Sequence, residues 1–181
     1  KNIDKKRKKL KWDISAIQEE KIKYAYNNIS GIDADYFLAK VTKAYMAILG
    51  DGKGNIFCED SLESPNNWSS KTKQNINLGK FDVVLSNPPF GGQEEDGIET
   101  NFPAKFRTKE TADLFLALII RLLKKDGRAA VVLPDGTMFG DGIKNVLKEH
   151  LLEECNLHTI VRLPKSVFKP YASIGTNLLF F

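Results

Sequence analysis

Short apolar runs that alternate with helix-period segments restrict the folds open to this chain more than any other feature. From Asn28 onward, strand-like runs fall at residues 28–33, 55–59, 81–86, 128–133, 158–163 and 176–181. Successive parallel strands need crossovers of a dozen or more residues, usually helices. The alternation therefore points to an α/β fold, a mostly parallel sheet with helices on both faces. A helix is expected over 36–49, where Phe37, Val41, Ala44, Tyr45 and Ile48 share a face and Gly50 ends it. Another is expected over 111–124, carrying Leu114, Phe115, Leu118, Ile119 and Leu122, with Lys124 and Lys125 at its negative end. A third is expected over 142–152. Residues 61–79, rich in Ser, Asn and Lys, read as a polar loop or irregular insertion, and 91–107 as an acidic, glycine-containing stretch free to move. Asp126-Gly127 should turn the chain into the strand that Pro134 closes.

Bulk properties exclude several classes. A chain of 181 residues with 42% hydrophobic content can build one domain with a real core. Residues 1–27 read as a basic helical flank and 28–181 as the main domain. No apolar run approaches the roughly 18 residues of a membrane span. The basic start leads into Trp12-Asp13-Ile14-Ser15 rather than an apolar core with a cleavage site, so no secretory signal is expected. Cys58 and Cys155 do not make a disulfide framework, which suits a reduced, cytoplasmic setting; Cys58, in an apolar run, reads as a packed core thiol. Net charge is +4, but residues 1–26 hold nine Lys or Arg against four Asp or Glu, leaving −1 on the rest. Lys5-Lys6-Arg7-Lys8-Lys9 can contact phosphate, yet it reads at least as well as a solvated flank, and charge alone does not make a DNA binder. His150 and His158 have no Cys or acidic neighbours at metal-ligand spacing, so no metal site is expected. Gly50-Asp51-Gly52-Lys53-Gly54 follows a helix and lacks the Lys-Ser/Thr ending of a phosphate loop, so it reads as a connection.

Open α/β sheets bind ligands beyond the carboxyl ends of their strands. Asp33, Asp60 and Asn87 each fall at such an end, one per strand, and are expected to face one crevice. A lone carboxylate after a strand is usually a turn or helix cap. Asn87-Pro88-Pro89-Phe90 is more informative. Its prolines fix φ and remove donors, leaving a stiff turn with outward carbonyls. The Asn87 carboxamide oxygen and the Pro88 carbonyl can together accept both hydrogens of one amine, which favours a tetrahedral nitrogen with an exposed lone pair. Phe90 offers a flat face to an unstacked base, a contact worth about 1–3 kcal/mol. The bland alternative is a Pro-Pro step that merely ends a strand, with Phe90 buried.

These residues resemble the catalytic motif of amino methyltransferases acting on adenine. Their surroundings resemble the modification (methyltransferase) subunits of type I restriction–modification systems. Besides Asn87-Pro88-Pro89-Phe90-Gly91-Gly92, the likeness rests on Gly31-Ile32-Asp33, Gly50, Asp60-Ser61-Leu62, Asp113-Leu114-Phe115 and Leu123-Lys124-Lys125-Asp126-Gly127-Arg128. It continues through Val131-Val132-Leu133-Pro134-Asp135-Gly136, Arg162-Leu163-Pro164, Phe168 and Thr176-Asn177-Leu178-Leu179-Phe180-Phe181. The resemblance implies a Rossmann-like fold dependent on S-adenosylmethionine and methylation of the N6 amine of adenine in double-stranded DNA. It further implies that Asp33 binds the cofactor's ribose hydroxyls and Asp60 its adenine amine, with Ser61 and Leu62 alongside and Leu62 against the ring. Asn87, Pro88, Pro89 and Phe90 would hold the target adenine, flipped from the duplex. A separate specificity subunit and a motor-nuclease subunit are the implied partners.

The family's Gly-rich cofactor loop follows a first, central strand, and this sequence starts downstream of both. The sheet is therefore expected to lack its first strand, and the chain alone to bind cofactor weakly and be inactive. Two other readings stay open: methylation of a protein glutamine amide or an RNA base, which also uses Asn-Pro-Pro before an aromatic, and a non-catalytic scaffold for partner subunits.

Overall fold

The computed structural model describes Lys5 and residues 14–50 and 54–181. Most of the Lys5–Lys9 basic run and the middle of the 50–54 connection lie outside the described residues. The chain divides into two compact units, one of Lys1–Ser61 with Trp68–Ile76 and one of Leu62–Asn67 with Asn77–Phe181. This division does not follow the 27/28 boundary expected from composition.

The first unit holds α1 (Ile14–Asn28), β1 (Ser30–Asp33), α2 (Tyr36–Ile48), β2 (Asn55–Cys58) and α3 (Ser70–Asn75). The α2 crossover makes β1 and β2 parallel, in register from Ser30 opposite Asn55 to Asp33 opposite Cys58. Asp35 caps α2 by accepting the Leu38 N–H at 2.8 Å, and Gly50, at φ 93°, ends it in the left-handed region. The apolar face expected to be buried is largely exposed: only Ala39 is buried, while Phe37 is 70% and Ile48 81% exposed. Two strands are too narrow a platform to cover a helix of 13 residues.

Two expectations are corrected in this unit. Residues 61–79 are not wholly irregular: they contain α3, capped by Ser69, and the buried Trp68, whose indole N–H donates to the Asp60 carbonyl at 2.8 Å. Cys58 is exposed rather than packed, because inward residues alternate along β2 and the buried set is Asn55 and Phe57.

The second unit holds β3 (Phe81–Ser86), α4 (Thr111–Leu122), β4 (Leu123–Pro134), α5 (Asp135–Phe139), α6 (Ile143–Glu154), β5 (Thr159–Leu163) and β6 (Thr176–Phe180). Its four strands run in the order β3-β4-β6-β5, with β3 and β4 parallel and β6 antiparallel to both neighbours. The helix expected to reach residue 124 stops at Leu122, and the turn expected at Asp126-Gly127 is an irregularity inside β4: between the Phe81–Leu123 and Val83–Arg128 pairings the register slips, and Asp126 takes φ 61°. A Cβ on Gly127 would lie 2.9 Å from the carbonyls of Lys124 and Phe81, so the tight bend requires glycine there.

Among the described residues, no ladder joins the two sheets. The core of the second unit is built from Leu114, Leu116 and Ile119 on α4, Val131 and Leu133 on β4, Leu147 and Leu151 on α6, and Leu179 on β6. The stretch 91–107 is not free throughout. Turns of 3-10 helix at Ile98–Asn101 and Ala104–Phe106 bury Phe102 and Phe106 in this core, and Asp96 pairs with Lys109. No helix among the described residues is long and apolar enough to cross a membrane.

Candidate active site

Asn87 begins where β3 stops. Ser86 is the last residue paired to β4, opposite Val131, and neither of the prolines that follow Asn87 can donate to a ladder. Asn87 and Pro89 are exposed, Pro88 is buried and Phe90 is half-buried. The motif thus pins itself to the fold through Pro88 while leaving the Asn87 carboxamide at the surface. Phe90 is not lost in the core; its ring meets Phe168 edge to face, centroids 4.9 Å apart and planes at 69°.

The chain leaving the motif is stitched to the start of α4. Gly91 takes φ 69°, the Thr111 N–H donates to the Gly92 carbonyl at 3.0 Å, and the Glu94 N–H donates to Lys109 at 2.8 Å. Gly92 admits no side chain, since a Cβ would lie 2.8 Å from Thr111 Oγ1. In the first turn of α4, Asp113 is 1% exposed and takes a 2.6 Å ion pair from Lys144 of α6, while its Oδ1 has no hydrogen-bond partner. This pair ties α4 to α6 beneath the loop.

A second polar cluster closes the same unit's sheet. Arg162 of β5 donates from both terminal nitrogens to Asp135, at 2.6 and 2.7 Å, and Asn177 of β6 donates to Asp135 Oδ1 at 2.9 Å. The guanidinium beside it and the Asn177 amide hold the Asp135 carboxyl below its ordinary range. The Asp135 N–H also donates to the Gly175 carbonyl at 2.9 Å.

In the first unit, Asp33 and Asp60 lie at the carboxyl end of the two-stranded sheet. The Glu59 N–H donates to the Asp33 carbonyl at 3.2 Å, so Asp60 lies one residue beyond the last contact between those chains. Asp33 Oδ1 accepts the Asp35 N–H at 2.9 Å, which orients its carboxylate. Glu59 is structural: it accepts from the Ser69 N–H and the Thr72 hydroxyl, and the Ser69 bond leads in holding its carboxyl below the ordinary range. Ser61 is half-buried, and Leu62, 2% exposed, packs in the hydrophobic core of the second unit. The four residues from Asn87 to Phe90 therefore stand together, as do Asp33 and Asp60 within their unit.

Comparison with known proteins gives these positions a family. The model of the N-6 DNA methylase family matches residues 10–181. The chain belongs to the N-6 DNA methylase family. It is similar to the methylase subunit of the type I restriction enzyme EcoEI from Escherichia coli, 69% identical over 56% of this chain and 21% of that subunit. It is also similar to the EcoKI methylase subunit of Escherichia coli K12, 36% identical over 74% of this chain and 24% of the relative. Among solved structures, a modification subunit assigned to a type I restriction enzyme of Vibrio vulnificus YJ016 superposes with a TM-score of 0.77, at 40% identity, over 96% of this chain and 35% of that one. This N-6 DNA methylase chain thus spans about a fifth to a third of the curated relatives it matches. Its strands and helices are those of part of a Rossmann-like α/β fold, shared with type I modification subunits.

Sequence reasoning singled out neither Asp135, Arg162 and Asn177 nor the Phe90–Phe168 contact as site features. Asp135 and Arg162 stand 27 positions apart in sequence, each looking like an ordinary polar residue near a strand end. Only the antiparallel insertion of β6 between β4 and β5 brings all three together.

Proposed function

We propose that the full-length protein transfers the methyl group of S-adenosylmethionine to the N6 amine of adenine in double-stranded DNA, as the modification subunit of a type I restriction–modification system. The observation that carries this reading is the Asn87-Pro88-Pro89-Phe90 turn at the carboxyl end of β3, with Asn87 exposed, Pro88 buried and Phe90 half-buried. A specificity subunit and a motor-nuclease subunit are the proposed partners, after the relatives' membership in type I enzymes. Target selection by a partner agrees with the net charge of −1 on residues 27–181, too little to hold DNA by phosphate contacts alone.

The residues of the first unit fit the cofactor by their chemistry. The Asp33 carboxylate is oriented through one oxygen at a strand's carboxyl end, the arrangement that accepts paired ribose hydroxyls. Asp60, at the same end, would accept from the cofactor's adenine amine, with Ser61 alongside. When bound, S-adenosylmethionine supplies an electrophilic methyl group on a sulfonium centre.

The protein's own task is to place and polarise the amine. The adenine N6 is paired and stacked in the duplex, so the base must be flipped out to reach Asn87. Phe90 stacks on the extruded ring. The Asn87 Oδ1 and the Pro88 carbonyl each accept one N6 hydrogen, drawing the nitrogen toward tetrahedral geometry with its lone pair free for the methyl carbon. With the donor bound, the lone pair exposed by these two acceptors would take up the methyl group, and Asn87 and Pro88 would hold the two N6 hydrogens until one leaves as a proton to solvent. Positioning and amine polarisation carry the rate, because the methyl donor is already activated.

The deciding experiment supplies the full-length protein and its specificity subunit with S-adenosylmethionine and DNA, then seeks N6-methyladenine by mass spectrometry, with Asn87→Ala alongside. Methyladenine that disappears in the variant is the expected result. Methyl found instead on protein or RNA would reassign the acceptor, and no transfer to any acceptor would leave a scaffold.

A further inference from the structure

The loop of residues 164–175 joins β5 to β6 and carries Phe168 to an edge-to-face contact with Phe90. Its interior is braced by short-range bonds from the Val167 N–H to Pro164, Lys169 to Ser166 and Ala172 to Phe168, at 2.9–3.2 Å. None of those bonds ties the loop to the rest of the unit. Both of its feet are paired in the sheet, Leu163 opposite Thr176, and Asp135 is the side chain that binds to each foot in addition to that ladder. The β5 foot is gripped through the two-pronged Arg162 ion pair, and the β6 foot through Asn177 and through the Gly175 carbonyl on the Asp135 N–H. Asn177 is 3% exposed, so its amide is committed to this bond. Gly175 allows the closure because a Cβ there would sit 2.2 Å from Asp135 Oδ2 and 2.7 Å from Arg162 Nη2.

We propose that Asp135 is a positioning residue for methyl transfer: by clamping both feet of the 164–175 loop it holds Phe168 against Phe90, and so fixes the ring that receives the extruded base. It touches neither base nor cofactor and acts only through the loop. Asp135 leads β4 into α5, so the clamp is built on the sheet rather than on another loop. A planar guanidinium with two parallel bonds sets orientation as well as distance, which a lysine would not reproduce. The depressed Asp135 carboxyl keeps the clamp charged throughout the neutral range. The inference rests on the proposed adenine reaction, but its structural half is read independently of activity.

The test uses the full-length protein in its complex with the specificity subunit. Single-turnover methyl transfer at saturating DNA and S-adenosylmethionine is normalised to cofactor-binding sites. It is measured for wild type, Asp135→Asn, Phe168→Leu and the double variant, with Asp82→Asn as control; Asp82 pairs with Lys124 at the far end of β3. Asp135→Asn is expected to slow the step about tenfold or more with cofactor affinity unchanged, and the double variant to be no slower than the worse single one. Fluorescence of 2-aminopurine at the target position should fall in parallel, and Asp82→Asn should stay within twofold of wild type. Amide exchange over 164–175 should speed up in Asp135→Asn, whether or not the complex transfers methyl. Unchanged exchange there overturns the clamp. A rate within twofold of wild type, or losses that multiply in the double variant, overturns its role in positioning. A wild-type complex that methylates no adenine while exchange responds as expected would strike the reaction proposed above and, with it, the positioning role, leaving the clamp itself intact.

Discussion

Asn87 stands exposed at the end of a strand whose last pairing is made by Ser86, and that arrangement makes its contribution separable from folding. Asn87→Ala should therefore leave the thermal midpoint almost unchanged while lowering the methyl-transfer rate constant by about a hundredfold or more, the usual cost of deleting one polarising group. Phe90→Ala, by contrast, should weaken engagement of the extruded base by about 1–3 kcal/mol, read as lost 2-aminopurine emission. Asp135 adds a pH signature. Its folded carboxyl lies below the ordinary value of 3.8, so its contribution is fully present above that value and is lost as pH falls through the lowered one. Thermal melts of wild type and Asp135→Asn should thus differ at neutral pH and converge in acid below the ordinary carboxylate range. A difference that persists unchanged there would show that the ion pair is not its source.

At the scale of elements, α4 is the platform on which the motif loop rests. Its buried face carries Leu114, Leu116 and Ile119, while its first turn presents Asp113 to Lys144 and its first residue, Thr111, packs on Gly92. Lys144→Met should destabilise the fold by about 3–5 kcal/mol, because it strands the Asp113 carboxylate in the interior without a counter-charge. Denaturant titration reads this as a lower midpoint at constant slope. Gly92→Ala should cost about 1–3 kcal/mol through overpacking against Thr111 Oγ1, and Thr111→Ala should recover part of the loss by vacating that space. Strand and helix periods announced α4 and β3 clearly. They did not announce α3, whose sequence, Ser-Lys-Thr-Lys-Gln-Asn, has no apolar face; it is fixed by the Ser69 cap and the Thr72–Glu59 bond.

The whole molecule is two units with unequal cores; among the described residues all of the buried leucines lie in the second. Leu116→Ala, at 0% exposure in that core, should cost about 2–5 kcal/mol and be read as a lower unfolding midpoint of the second unit. In the first unit the sequence pattern of α2 was right about the helix and wrong about its burial, since periodicity reports an apolar face but not whether a neighbour covers it. What the sequence determined by itself is local: the alternation of strands and helices, the backbone irregularity at Asp126-Gly127, and the Asn-Pro-Pro-Phe step, whose prolines dictate a strand end wherever they occur. What only the tertiary structure decided is the joining of distant residues. Asp135, Arg162 and Asn177 meet because β6 runs antiparallel between β4 and β5, and Phe168 reaches Phe90 because that meeting closes the loop between them. Such contacts depend on strand order, and strand order is set by which faces pack together across the whole sheet, information that no local window of residues contains.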